Sequence, residues 1–169
     1  MSNEMTFKAE GNEIVAERVF NAPRELVFQV YTEAEHLKNW WGPQGWTVPV
    51  CHVDFRVGGV WHYCMKCEDK NQGDFFGMES WGKGIYREID HGNSFVYNDY
   101  FSDAEGNENA EMPAALITVQ FLEEEGKTRV VSKTRYDSAE QIKTLMEMGM
   151  KEGFTQTWDR LSEYLVSVK

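Results

Sequence analysis

Cysteine is scarce in this sequence. Cys51, Cys64 and Cys67 are the whole set among 169 residues, an odd and sparse number that suits reduced thiols in a cytoplasmic protein better than a disulfide framework. Long apolar runs are missing too. Nothing approaches the roughly 20 residues of a membrane-spanning helix, and the opening "MSNEMTFKAEGNE" lacks the apolar core of a secretory signal. Basic charge is the third shortage. Lys and Arg total 17 against 28 Asp and Glu, a net charge of −11. A phosphate backbone requires clustered Lys and Arg, so nucleic acid is excluded as a partner, and an anionic membrane surface is disfavoured. No nucleophile elbow, phosphate-binding glycine loop, HExxH or dinucleotide fingerprint occurs either. No catalytic residue, metal or cofactor is therefore assigned.

What the chain does have is aromatic mass. Aromatic residues make up 14% of it, and "HLKNWWGPQGW" at 36–46 places Trp40, Trp41 and Trp46 among turn-forming glycines and a proline. So much apolar surface in an irregular segment needs something to cover. It is either a plug that closes the core or the wall of a cavity that offers an aromatic surface to a flat ligand.

The pattern around it is regular. "EIVAERVF" at 13–20 alternates as a first strand does. In "NAPRELVFQVYTEAEHLKNW" Asn21 can cap, Pro23 sits near a helix start, and Leu26, Val27, Val30 and Tyr31 recur at helical spacing. A second short helix is expected to carry Leu37 and Trp40 and to end at Gly42-Pro43. From Trp46 to Tyr136 short polar breaks separate strands expected at about 46–55, 59–67, 80–90, 94–102, 114–123 and 128–136. Such an order implies an antiparallel meander. Ser138 and Gln141 then stand in capping-box positions. Ile142, Met146, Met150, Phe154, Trp158, Leu161 and Leu165 follow at spacings of three and four, the apolar face of one long helix. The class is α+β, with residues 13–168 as a single domain after a flexible N-terminus at 1–12.

With these elements in order, the chain resembles the START and birch-allergen-like helix-grip superfamily (SRPBCC). Within it the chain is most similar to the branch related to the C-terminal domain of the activator of the Hsp90 ATPase. The resemblance rests on "WWGPQGWTVP" at 40–49, "DFRVGG" at 54–59 followed by Trp61, Tyr63 and Met65, "GKGIYREI" at 82–89, and "GFTQTWDRLSEYL" at 153–165. It implies a seven-stranded antiparallel sheet curled around the C-terminal helix, two short helices after the first strand, and a cavity between sheet and helix. The branch commonly has leucine where this chain has Trp158, which reshapes one end of that cavity.

Candidate site residues follow from strand parity and helical spacing. Trp61, Tyr63 and Met65 share one strand face, opposite His62, Cys64 and Lys66. The set expected at a ligand site is Trp40, Trp46, Trp61, Tyr63, Met65, Met146, Met150, Phe154 and Trp158, with the methionines supplying adaptable, polarisable surface. Gly149 and Gly153 each cost about 1 kcal/mol in a helix interior, so they either permit close packing or leave open volume. Cys64 and Cys67 match C-x-x-C, but within a strand residues three apart face opposite sides, which argues against zinc or thioredoxin-type chemistry. Glu88, Tyr97, Asn98, Asp99 and Arg135 could supply an acid or base. Register decides whether each points inward, and one residue of slip reverses them all.

Three functions fit these features. The first is binding of a small apolar, aromatic-type ligand in the cavity. The second is stimulation of an Hsp90-type chaperone ATPase, implied by the resemblance. The third is cyclase or aromatase chemistry, which requires an inward acid or base.

Overall fold

The structure, a computed structural model, describes residues 5–168. The chain runs β1 (Thr6–Glu10), β2 (Glu13–Phe20), α1 (Arg24–Thr32), α2 (Ala34–Leu37), β3 (Trp46–Val53) and β4 (Val60–Cys67). A kinked 3-10 segment (Lys70–Phe75) leads to β5 (Glu79–Asp90), β6 (Ser94–Ser102), β7 (Ala115–Glu124) and β8 (Lys127–Arg135). Two helices close the chain, α3 (Ala139–Glu147) and α4 (Met150–Val168).

All the strands join one antiparallel sheet in the order β1-β2-β8-β7-β6-β5-β4-β3. It holds eight strands rather than seven. The additional one is β1, inside the segment expected to be flexible, while residues 1–4 of that segment lie outside the described residues. It pairs with β2 from Thr6↔Glu17 to Glu10↔Glu13 across a turn at Gly11. Most of β1 stays exposed, so no apolar alternation announces it. Pro49 interrupts the other edge strand, β3, where the register shifts between Thr47 and Val50.

The expected single C-terminal helix is two helices. Ser138 caps α3 as its spacing implies, accepting from the Gln141 backbone N–H at 3.3 Å. After Glu147 the chain breaks at Gly149, whose φ of 93° lies in the left-handed region. Only glycine takes that conformation cheaply, and it commonly ends helices. Met146 and Met150 keep helical spacing across the break, which hid it. The second short helix also ends early, at Leu37, leaving Trp40 in the turn that follows. At α1 the capping position is Pro23, with no side-chain cap bond. Fixed φ and a missing N–H suit proline to a helix start.

The core lies between the sheet's inner face and the helices. Ala16 and Phe20 of β2, Trp61 and Tyr63 of β4, Tyr86 of β5, Phe95 and Tyr97 of β6, and Val119 and Phe121 of β7 point inward. Across from them α4 buries Trp158, Leu161 and Leu165, each burial contributing about 1.5–3 kcal/mol. One cation also faces inward. Arg18 of β2 meets Asp159 of α4 at 2.7 Å and ties helix to sheet. Among the described residues no helix is long and apolar enough to cross a membrane.

Candidate functional site

The tryptophan segment divides its three indoles among different tasks. Trp40 is fully buried, and its indole N–H donates to the Val30 carbonyl at 3.0 Å, locking the turn against α1. Trp46 is half-buried beside Cys67 at the start of β3 and donates to Gln72 of the 3-10 segment at 3.3 Å. Trp41 lies between them and stacks edge-on against Trp61, with ring centres 4.7 Å apart.

Arg160 of α4 holds this segment in place. Its Nη1 stands 2.9–3.2 Å from the carbonyl oxygens of Trp41, Gly42, Pro43 and Trp46. Most of these carbonyls lie in the irregular turn before β3, and a guanidinium satisfies several of them at once. Gln156, one turn earlier on α4, accepts from the Gln44 backbone N–H at 3.1 Å.

Between this clamped segment, β4 and α4 lies a cavity of about 230 Å3. Trp41, Gly42 and Pro43 form its outer wall, and Tyr63 and Met65 of β4 form its floor. From α4 come Met150, Gly153, Phe154, Thr157 and Trp158, and Tyr31 of α1 closes the far end. Among the described residues no charged side chain lines it. A Cβ built on Gly153 would meet nothing within 4 Å, so this glycine leaves open volume rather than permitting a close approach. A larger hollow of about 490 Å3 lies elsewhere, beside α1, where Phe28, Phe55 and His91 meet Glu25 and Glu33. It is outside the space between sheet and C-terminal helices.

Of the residues expected at a ligand site, Tyr63, Met65, Met150, Phe154 and Trp158 surround the cavity together. Trp40, Trp46, Trp61 and Met146 do not line it. Trp40 and Trp46 are engaged as described, Trp61 sits behind Trp41, and Met146 belongs to α3, before the Gly149 break. Sequence reasoning passed over Tyr31, Trp41 and Thr157. Thr157 was accessible from helical spacing, three residues after Phe154. Trp41 was not, because an irregular turn has no periodicity to show which of two adjacent indoles faces in.

Cys51, Cys64 and Cys67 are free thiols. Cys64 and Cys67 are both buried within β4, Cys64 despite its place on the face opposite Trp61 and Tyr63.

The register also orients the polar candidates. Glu88 and Arg135 are exposed, and Asn98 accepts from Arg87 on the outer face. Asp99 points inward with Tyr97. The Tyr63 hydroxyl donates to its Oδ1 at 3.4 Å. Asp99 keeps some accessible surface although protein surrounds it. That deep placement disfavours the charged form and pushes its carboxyl up to about 7, partly offset by the Tyr63 hydrogen bond. Burial likewise raises the phenols of Tyr63 and Tyr97, and lifts Tyr31 to about 12. The Trp158 indole N–H donates to the Tyr31 hydroxyl at 3.3 Å. At neutral pH every one of these phenols keeps its proton.

A solved structure of protein Ms6760 from Mycobacterium smegmatis is similar at 26% identity, covering 95% of this chain and 96% of that one, with a TM-score of 0.82. A Staphylococcus epidermidis protein is 29% identical over 96% of this chain and 94% of its own, with a TM-score of 0.81. An Arthrobacter aurescens protein at 24% identity shares the fold with a TM-score of 0.84, over 96% of this chain and 91% of that one. No curated protein matches the chain significantly. The family profile described as activator of Hsp90 ATPase homolog 1-like protein matches residues 21–166. With most of its length matched, from just before α1 into the last turn of α4, the chain belongs to the family of activator of Hsp90 ATPase homolog 1-like proteins.

Proposed function

We propose that this protein binds a small, flat, apolar ligand in the cavity between β4, α4 and the tryptophan segment. The observation that carries the reading is the lining itself. Aromatic rings and thioethers surround about 230 Å3, with no charged side chain among the described residues there. A dry apolar cavity of about 150 Å3 already accepts benzene, so a substituted single ring or a fused pair fits the available space. The thioethers of Met65 and Met150 adapt to the shape of what enters. The free thiols and the acidic surface support a cytoplasmic setting.

Titration with benzene and indole tests this. Binding should quench tryptophan emission and shift the Met65 and Met150 methyl signals and the amides of Tyr63 and Phe154. Shifts confined to the outer face of the sheet would overturn the reading.

A second reading is contact with an Hsp90-type chaperone. The family description points to it, and Phe75, Phe76 and Met78 are exposed close together at and just beyond the end of the 3-10 segment, as a protein contact would use. Stimulation of such a chaperone's ATPase that is lost in Phe76→Ser would favour this reading. Stimulation unchanged by that substitution, or absent altogether, would count against it.

A further inference from the structure

Asp99 has no place in a purely apolar site. It stands on the inner face of β6, opposite Gly84 of β5 and Ala115 of β7, so its flanking cross-strand positions carry little or no side chain. Next along β5, Gly82 pairs with Tyr63, and the Tyr63 phenol fills the space that a Cβ at Gly82 would occupy. Gly82 lets the Tyr63 ring lie across β5, with its hydroxyl at Asp99 and the residue on the cavity wall. The Trp41 ring packs edge-on against the Tyr63 ring, with centres 5.9 Å apart.

We infer that Asp99, acting through Tyr63, makes the inner end of the cavity a hydrogen-bond acceptor that selects flat aromatic ligands bearing one O–H or N–H donor, a phenol or an aromatic amine. The inference rests on the ligand-binding reading above. A ligand donor reaches the Tyr63 oxygen, and the Tyr63 O–H in turn points at the Asp99 carboxylate. Each bond polarises the next, which strengthens both where the local dielectric is low. Among the described residues the Asp99 carboxylate receives a single side-chain hydrogen bond, from Tyr63, which leaves acceptor capacity on its side-chain oxygens.

The groups around Asp99 leave it alone to titrate near neutrality. Tyr63 faces it from β4, Tyr97 from β6 and Tyr136 from beyond β8, all phenols raised by burial. β5 offers Gly82 and Gly84, β7 offers Ala115, and Met150 of α4 receives the Tyr136 hydroxyl at 4.0 Å. Among the described residues no Lys, Arg or His pairs with Asp99. Because the carboxylate is the accepting form, donor-bearing ligands should bind more tightly as pH rises through neutrality.

The test compares p-cresol with p-xylene, which match in shape but differ in one donor. Affinities are read by fluorescence and amide shifts for the wild type, Asp99→Asn and Tyr63→Phe, above and below neutrality. Above neutrality p-cresol should bind the wild type about tenfold more tightly, the worth of one good hydrogen bond. That preference should shrink below neutrality. It should lose its pH dependence in Asp99→Asn and disappear in Tyr63→Phe, with thermal melts showing that both variants fold. Equal binding of the two compounds to the wild type overturns the inference and leaves the cavity reading standing. So does a p-cresol preference that survives in Tyr63→Phe or keeps its pH dependence in Asp99→Asn. If neither compound binds, both readings fall together.

Discussion

The Tyr63 ring lies where a side chain at Gly82 would have to stand. Gly82→Ala should therefore push the phenol off β5 and away from Asp99. Overpacking of this kind costs about 1–3 kcal/mol. Gly84→Ala should cost less, because its Cβ would meet the Tyr97 ring edge at 3.1 Å, where a small tilt relieves the contact. Melting temperatures ordered wild type, Gly84→Ala, Gly82→Ala would agree; the reverse order of the two variants would contradict the geometry.

Arg160 binds the tryptophan segment through backbone oxygens alone, so the prediction concerns shape more than charge. Arg160→Lys keeps the cation but replaces a planar fork with a single ammonium that cannot reach the same set of carbonyls. The loss should be about 1–3 kcal/mol. Amide hydrogen exchange across residues 41–46 should accelerate, and exchange in the strands should not. Unchanged protection of that segment would show that it holds itself.

Asp99 gives stability a pH dependence of definite sign. Its carboxyl titrates at about 7 when folded and at the ordinary 3.8 when unfolded. Between these values the unfolded chain has released a proton that the folded one retains. Stability from this group is therefore complete below about 3.8 and declines as pH rises to about 7. The decline is on the order of a few kcal/mol at most. Asp99→Asn should remove it, leaving the variant more stable than the wild type above neutrality and no more stable in acid. Parallel denaturation curves for the two proteins across pH would refute the assignment.

Cavity volume can be changed in opposite directions on one helix. Gly153→Ala adds a methyl group to open space within α4 and should stabilise the fold by up to about 1 kcal/mol through helix propensity. It should also weaken binding of the larger aromatic probes. Trp158→Leu should enlarge the site and cost about 2 kcal/mol, less than truncation to alanine. It removes the edge-to-face contact with Phe20 and the hydrogen bond to Tyr31. Calorimetric melts and affinities for indole against benzene separate the two effects.

Legibility in the sequence followed the strength of local signals. Turn residues bracket β3 to β8 closely enough that the expected strands differ from the observed ones by no more than two residues at either end. Strand parity likewise put Trp61 and Tyr63 on the buried face. The Gly149 break escaped because the apolar spacing runs straight through it, and only a backbone angle reveals it. Asp99 was one of several polar strand residues whose direction hung on register. Its clue was in β5: glycines two apart mark where neighbouring rings cross the strand, and here they lie beside Tyr63 and Tyr97. Phe7 is the one β1 residue seen in ring contact with α4, at 5.9 Å from Phe154, too faint a pattern to name a strand.

Among the described residues β1 and β3 end the sheet without pairing to each other, and these two margins bear on how the protein behaves at high concentration. An unpaired strand margin is a template for adding another chain. Here β3 carries Pro49, which lacks an N–H, at a register shift, and β1 presents Lys8 and Glu10 in an exposed strand. Both devices obstruct strand addition. Copies of this chain should thus remain separate when crowded, and replacing Pro49 with valine should make the β3 margin the first place where they join into aggregates.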